Sequence, residues 1–177
     1  MHNDVKKILV TEDQLIVRIK EIAQQINNDF KGERVILVGL LNGSVPFLAE
    51  LMKHLAMDCE IDFMDVSSYR GTQSTGEVRI LKDLTRAIDK KNVIIVEDII
   101  DTGKTLMVIK GILENRGPKA IKIATLLDKP EGRVVDCEAD YVGFSIPNEF
   151  VIGFGLDYDE LYRNLPYIGV LREERYM

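Results

Sequence analysis

The sequence predicts an α/β protein whose central, mostly parallel sheet is flanked by helices. Strand-length apolar runs alternate with helical patterns through the middle of the chain, and the run Val93–Val96 is β-branched throughout. Such a run is typical of a strand buried on both faces, as in a parallel sheet covered by helices. The 177 residues contain no repeat or linker and suffice for one domain with a sizeable core.

The elements of the first half are predicted from caps and periodicity. Thr11 and Gln14 form a capping box at the start of a helix, and Gly32 ends it. The helix has apolar residues at helical spacing, namely Leu15, Ile19, Ile22, Ala23, Ile26 and Phe30. Val35 to Leu41 is predicted as the first strand of the sheet. Ser44 and Pro46 suit the start of a helix that runs to about Leu55.

The remaining elements follow the same reasoning. Helix residues Leu106, Ile109 and Leu113 come after the β-branched run, and Gly117-Pro118 ends that helix. A polar, Gly-flanked loop is predicted over residues 69–76. The other predicted strands are Cys59 to Val66, Val78 to Leu81, Lys119 to Leu127, Tyr141 to Phe144, Val151 to Phe154 and Tyr167 to Leu171.

Composition indicates a cytoplasmic protein without a nucleic-acid or membrane partner. The net charge is −6 with no long basic run, and no apolar stretch is long enough to span a membrane or to act as a signal core. Cys59 and Cys137 lack metal-ligand spacing, so reduced thiols are expected.

Three carboxylates follow the β-branched run and precede a glycine turn. Glu97 and Asp98 are adjacent, Asp101 follows, and residues 102–105 open a helix whose backbone N–H groups suit a phosphate. Carboxylates beside a phosphate require a cation, usually Mg²⁺, or hydroxyl groups between them, which a sugar phosphate supplies. A nucleoside-triphosphate P-loop is excluded, because its first glycine position is Asp98 here. Solvated strand-end acids remain the alternative for Glu97 and Asp98, and a helix N-cap remains the alternative for Asp101.

These residues carry a family resemblance. The segment from Val93 to Leu106 resembles the phosphoribosyl-pyrophosphate signature of the type I phosphoribosyltransferases, in the form of the hypoxanthine-guanine enzymes. Further segments match in the same order over nearly the whole chain, namely residues 40–44, 67–69, 127–129 and 150–163. The resemblance implies a small hood, formed by the N-terminal segment and roughly residues 128–177, over the sheet. It also implies a homodimer or homotetramer.

The resemblance assigns roles around phosphoribosyl pyrophosphate. Glu97 and Asp98 hold the ribose hydroxyls and Mg²⁺, and Asp101 takes the proton from purine N7. The ribose 5-phosphate is bound by the loop Asp101, Thr102, Gly103, Lys104 and Thr105.

The pyrophosphate site is assigned to a second turn and an arginine. Asn42, Gly43 and Arg163 bind pyrophosphate in this assignment. The family often has a basic residue at position 42, so Asn42 removes one positive charge there. A plain turn and a surface arginine are the alternatives.

The purine and lid residues are assigned in the same way. The Lys129 ammonium can only donate, so it suits the 6-oxo group of hypoxanthine or guanine and disfavours adenine. Phe150 stacks on the base, Val151 offers backbone contacts, and Asp157 binds the base edge or a second metal. Ser68 and Tyr69 begin a loop that closes over the site. Each has an ordinary alternative: a surface lysine, a core phenylalanine, a surface acid and a plain loop.

The function predicted on this basis is purine salvage by phosphoribosyl transfer to a 6-oxopurine. A regulator that keeps the phosphoribosyl-pyrophosphate site but binds nucleic acid, and a transferase for adenine, xanthine or a pyrimidine, stay open as alternatives. The acidic charge disfavours the regulator. Little in the sequence separates xanthine from guanine.

Overall fold

The computed structural model describes residues 1–68 and 78–176. Three α-helices lie in these ranges: α1 (Glu12–Asp29), α2 (Val45–Met52) and α3 (Lys104–Glu114). The strands are β1 (Val5–Val10), β2 (Val35–Leu40), β3 (Cys59–Ser68), β4 (Val78–Lys82), β5 (Asn92–Ile100), β6 (Ala120–Asp128), β7 (Tyr141–Ser145), β8 (Val151–Ile152) and β9 (Ile168–Leu171).

The main sheet has six strands in the order β4-β3-β2-β5-β6-β7. All of its neighbouring pairs are parallel except β3 with β4. The predicted α/β class and mostly parallel sheet are therefore confirmed. Because β2 and β5 are central, the turns that follow them meet at one edge of the sheet, where ligands of such folds bind.

Both faces of β5 are buried, as its β-branched sequence predicts. Ile94 and Val96 belong to the core cluster that includes α1 and α2 residues, whereas Val93 and Ile95 belong to the cluster on α3. The capping box is also present: the Gln14 backbone N–H donates to the Thr11 hydroxyl, and the Thr11 backbone N–H donates to the Gln14 side chain.

A second sheet joins the two ends of the chain in the antiparallel order β1-β9-β8. The sequence analysis did not predict β1, because Lys6 and Lys7 interrupt its apolar residues. The strand exists through its pairing with β9, a partner that local sequence does not reveal. β7 lies in the main sheet, while the division of the chain into a core and a hood remains a prediction. Within the described residues, no helix has both the length and the apolar character needed to cross a membrane.

Candidate active site

Glu97 and Asp98 lie within β5, which continues to Ile100. The sequence had suggested that the strand ends at these acids. β5 continues because it stays paired with β6, Glu97 facing Thr125 and Ile99 facing Leu127. Its last partner in β2 is Gly39, opposite Val96. The two acids therefore extend beyond the β2 pairing, at the edge where ligands bind.

The pKa of Glu97 is raised well above its ordinary value, because the carboxyl is buried and faces the negative charge of Asp98. Burial also raises the pKa of Asp98, and the nearby Arg163 guanidinium partly offsets this. The Asp98 backbone N–H donates to the Glu97 carboxylate at 3.0 Å, and the Ile99 N–H donates to the Asp98 carboxylate at 2.7 Å. Neither acid forms an ion pair within the described part of the chain. A divalent cation or ribose hydroxyls would relieve this arrangement.

The acids fit Mg²⁺ held jointly with a substrate. Among residues 1–68 and 78–176, no group of three or more His, Cys, Asp or Glu side chains is placed to hold one ion. Two carboxylates completed by substrate oxygens and water are the usual magnesium arrangement. The chemistry of Glu97 and Asp98 therefore fits the ion, while Asp157 does not join them in a single cluster.

The loop after β5 encloses a cavity of about 170 Å³. Glu97 lies on its wall together with the predicted phosphate loop, and the lining residues are Glu97, Ile99, Ile100, Asp101, Thr102, Gly103, Thr105 and Leu106. Gly103 has a φ of +79° and occupies the N-cap position of α3. Glycine adopts this left-handed conformation without strain. Asp101 therefore does not cap the helix, which removes that alternative and leaves its exposed side chain at the cavity.

The Thr102–Thr105 segment has the features of an anion site. The Lys104 backbone N–H approaches the Thr102 hydroxyl at 3.4 Å, and the first helical hydrogen bond runs from Met107 to the Gly103 carbonyl. Apart from that of Lys104, the amides of the first turn are thus left for a ligand. Lys104 is exposed.

The turn after β2 packs directly on Asp98. Gly43 is buried, and a Cβ at this position would overlap the Asp98 carboxylate. A Cβ on Gly155 would likewise overlap the Gly43 carbonyl. Asn42 is exposed and follows a cis peptide from Leu41. Ser44 precedes α2 but gives no side-chain cap, and its buried hydroxyl has no partner among the described residues.

Arg163 and Asp157 form an ion pair beside this turn. The Arg163 Nη1 atom lies 3.2 Å from the Asp157 carboxylate and donates to the Gly155 carbonyl at 2.8 Å. Its Nη2 atom pairs with Glu160 at 3.0 Å. Since Gly155 contacts Gly43, the arginine is held near Asn42 and Gly43, as the resemblance implies. The sequence did not predict its pairing with Asp157.

Lys129 is buried, being 8% exposed, so it is not an ordinary surface lysine. Burial lowers the pKa of its ammonium, an effect that Asp101 partly opposes. The Lys129 backbone N–H donates to the Ile100 carbonyl at 2.9 Å. No hydrogen bond or ion pair of the ammonium occurs within the described ranges. An unpaired donor beside Asp101 is suited to a carbonyl acceptor on a ligand.

Phe150 is 38% exposed and so does not belong to the core. Its ring stacks on Tyr176, with centroids 5.1 Å apart, and meets the edge of Tyr158 at 5.6 Å. The next residue, Val151, is buried and pairs with Val170 in the second sheet. The exposed ring provides apolar surface for a flat base.

The predicted lid is only partly within the described residues. Ser68 is the last residue of β3, opposite Val78 of β4. Tyr69 and the rest of the predicted loop lie outside the described ranges.

Sequence reasoning missed two contacts to Asp101 and one to the neighbouring Gly103. Arg133 donates to the Asp101 carbonyl at 2.6 Å. A Cβ on Gly132 would overlap the Asp101 carboxylate, and one on Gly103 would contact Cys137. A glycine and an arginine after Pro130 give no local signal for this role.

Known proteins of one family are similar to this chain over most of its length. The model of the phosphoribosyl transferase domain family matches residues 7–159. Proteins named hypoxanthine-guanine phosphoribosyltransferase from Streptococcus mutans and Streptococcus agalactiae are each 55% identical over 177 residues. These matches cover 99% of this chain and 98% of each relative.

Solved structures of the same kind of protein are similar over nearly the whole chain. A hypoxanthine phosphoribosyltransferase from Staphylococcus aureus is 52% identical, with a TM-score of 0.96 over 100% of this chain and 97% of the other. A hypoxanthine-guanine phosphoribosyltransferase from Bacillus anthracis, with a HEPES molecule in its active site, is 48% identical. Its TM-score is 0.90 over 96% of this chain and 98% of the other.

Proposed function

The chain belongs to the phosphoribosyl transferase domain family, and from this membership we propose that it transfers a 5-phosphoribosyl group to hypoxanthine or guanine. The donor is phosphoribosyl pyrophosphate and the products are IMP or GMP and pyrophosphate, a reaction of purine salvage. The observation that carries the proposal is Lys129 beside the carboxylate loop, a residue only 8% exposed whose ammonium has no partner within the described residues.

Phosphoribosyl pyrophosphate is bound along β5 and by the turns that follow β2 and β5. The first-turn amides of α3 and the hydroxyls of Thr102 and Thr105 take the 5′-phosphate. Glu97 and Asp98 accept hydrogen bonds from the ribose hydroxyls, and the same carboxylates would hold Mg²⁺. When bound, the ion neutralises charge on the departing pyrophosphate. Arg163 and the Asn42–Gly43 turn hold the pyrophosphate, the arginine by the paired donors of its guanidinium.

Base recognition uses the buried lysine and the exposed ring. Lys129 donates to the 6-oxo group, Phe150 offers a stacking surface, and Val151 supplies backbone groups. An adenine would place a 6-amino donor against the ammonium, leaving both without an acceptor. Such a mismatch costs about 1–3 kcal/mol, so the pocket selects for 6-oxopurines.

Transfer proceeds with inversion at the anomeric carbon. The bond from that carbon to pyrophosphate breaks ahead of the new bond to the purine nitrogen N9, so positive charge develops on the ribose. The carboxylates nearby stabilise this charge, and Asp101 accepts the proton that leaves N7. Closure of the loop that begins at Ser68 and Tyr69 excludes water from the activated sugar.

We further infer a cytoplasmic homodimer or homotetramer. The oligomer is inferred from the family alone, and sedimentation equilibrium tests it. Both cysteines are free thiols, which fits a reducing compartment.

Initial rates with phosphoribosyl pyrophosphate, Mg²⁺ and each of hypoxanthine, guanine, xanthine and adenine test the proposal. Stoichiometric nucleotide and pyrophosphate from hypoxanthine or guanine, with adenine unused, is the expected result. A preference for xanthine would show that the proposed substrate base is wrong. No turnover of any base, despite binding of phosphoribosyl pyrophosphate, would indicate that the protein is a regulator and not an enzyme.

A further inference from the structure

Arg133 joins the ends of the two neighbouring strands that carry the reaction chemistry. Its Nη1 atom donates to the carbonyl of Asp101, just after β5, at 2.6 Å. Its Nη2 atom pairs with the carboxylate of Asp128, the last residue of β6. The side chains of Arg133 and Asp128 are only 17% and 19% exposed. One guanidinium therefore spans β5 and β6 where the sheet ends.

The residues next to Arg133 lie along the phosphate loop. The Val134 backbone N–H donates to the Thr102 carbonyl at 3.1 Å. A Cβ on Gly103 would lie 3.2 Å from the Cδ atom of Arg133. These contacts hold the loop through its backbone, so they leave the amides and hydroxyls of the loop free for a ligand.

The same contacts fix Lys129 relative to Asp101. Lys129 directly follows Asp128, and its backbone N–H donates to the Ile100 carbonyl at 2.9 Å. A purine bound as proposed must reach Lys129 with its 6-oxo group and Asp101 with its N7 proton. The separation of these two residues therefore decides whether both contacts form on one base.

We propose that Arg133 is a positioning residue, which sets the Asp101 carboxylate relative to Lys129 and so acts on the rate of transfer through Asp101. This inference rests on the proposed function and deepens it. The Nη1 and Nη2 atoms of Arg133 donate to Asp101 and Asp128, so the role assigned to it is to orient the acceptor.

Arginine suits this role because its planar guanidinium donates along two directions at once. A lysine has a single ammonium and cannot reproduce both contacts in the same geometry. Removal of the guanidinium frees the Asp101 backbone, and a displacement of about 1 Å in a reacting group can cost roughly 100-fold in rate.

A double-mutant cycle on Arg133→Met and Asp101→Asn tests the proposal. Arg133→Met is expected to lower kcat with hypoxanthine by about 10- to 100-fold. In the Asp101→Asn background, where no carboxylate remains to be positioned, the same change is expected to cost less than about threefold. Arg18→Met is the matched control, because Arg18 also combines bonds to backbone carbonyls, those of Val142 and Gly143, with a carboxylate pair, that with Glu21. Its kcat is expected to stay within about twofold of the parent.

The outcomes separate this inference from the proposed function. Multiplying losses in the double variant, or an unchanged kcat in Arg133→Met, overturns the positioning role alone. Full kcat in Asp101→Asn overturns the role of Asp101 itself, and the positioning role with it. If Arg133→Met does not fold, as judged by circular dichroism, Arg133→Lys takes its place in the same cycle. Chemical rescue is a second test, in which free guanidinium replaces the missing side-chain group. Guanidinium chloride at millimolar concentration is expected to raise kcat of Arg133→Ala but not of Arg18→Ala. Failure to raise kcat of Arg133→Ala contradicts the proposal.

Discussion

The carboxylate of Asp98 fills the space in which a side chain on Gly43 would begin. This contact joins the turn after β2 to the acid pair of β5, so the predicted pyrophosphate and ribose sites share one wall. Gly155 packs on the other side of the same turn, against the Gly43 carbonyl. Any side chain at position 43 must therefore move the turn or the acid.

Gly43→Ala is expected to raise the KM for phosphoribosyl pyrophosphate by about tenfold or more, because the Asp98 carboxylate is displaced. Steady-state rates at varied donor concentration measure this. Gly111→Ala is the matched control: it lies inside α3 with open space around its Cβ position. It is expected to keep full activity and to stabilise the fold by about 0.5–1 kcal/mol. A KM within twofold of the parent in Gly43→Ala would show that the contact is not needed.

Glu97→Gln is expected to stabilise the ligand-free protein at neutral pH. Because its pKa is raised in the folded state, the native protein binds the Glu97 proton more tightly than the unfolded chain does. The contribution of Glu97 to stability is therefore full below the ordinary value of 4.5 and is lost as pH rises through the folded pKa. Glutamine has no such loss.

Thermal denaturation of Glu97→Gln between pH 4 and 8 measures this effect. The difference in Tm from the parent should grow with pH, and about 1 kcal/mol would appear as roughly 2–4 °C. Glu138→Gln, at an exposed position, should show no such trend. A Tm difference that is constant with pH would contradict the raised pKa of Glu97. Independently of this result, the activity of Glu97→Gln should fall and require more Mg²⁺.

Lys129→Met is expected to lower kcat/KM for hypoxanthine by about 10- to 100-fold and to reduce the preference over adenine, because the 6-oxo group loses its donor. The Tm should not fall, since Lys129 is largely buried, its ammonium has no partner within the described residues, and an apolar side chain takes its place. Lys122→Met, within the strand β6 that Lys129 directly follows, is the control; its ammonium pairs with Asp140, and the variant should keep its selectivity. An unchanged ratio of hypoxanthine to adenine rates would assign selectivity elsewhere.

Phe150→Leu is expected to raise the KM for the purine by about fivefold or more, because base stacking on an aromatic ring contributes roughly 1–3 kcal/mol. The KM for phosphoribosyl pyrophosphate should stay unchanged, since the ring lies on the base side of the proposed site. Tyr176→Leu removes the ring that stacks on Phe150 and should have a smaller effect. Equal KM changes for both substrates would indicate a general disturbance rather than lost stacking.

The strands and helices of the main sheet could be predicted because their signals are local. The capping box at Thr11 and the β-branched run of β5 are each contained in a few consecutive residues. β1 could not be predicted, because its pairing with β9 joins distant parts of the chain. The extension of β5 past Glu97 likewise depends on its partner β6.

The site was predictable where a motif is continuous and not where contacts are long-range. The loop from Asp101 to Thr105 lines a cavity, as its sequence indicates. The burial of Lys129, the pairing of Arg163 with Asp157 and the contact of Arg133 with Asp101 arise only from packing between separate segments. The roles assigned to these residues in the reaction stay predictions that the variants above test.

The most direct test is kcat with hypoxanthine for Asp101→Asn, measured beside the KM for phosphoribosyl pyrophosphate. Asparagine keeps the size of the side chain but cannot accept the N7 proton as a carboxylate does. The account predicts a fall in kcat of about 10²- to 10⁴-fold, with donor binding largely retained. A kcat within about twofold of the parent would contradict proton transfer to Asp101 and the mechanism built on it.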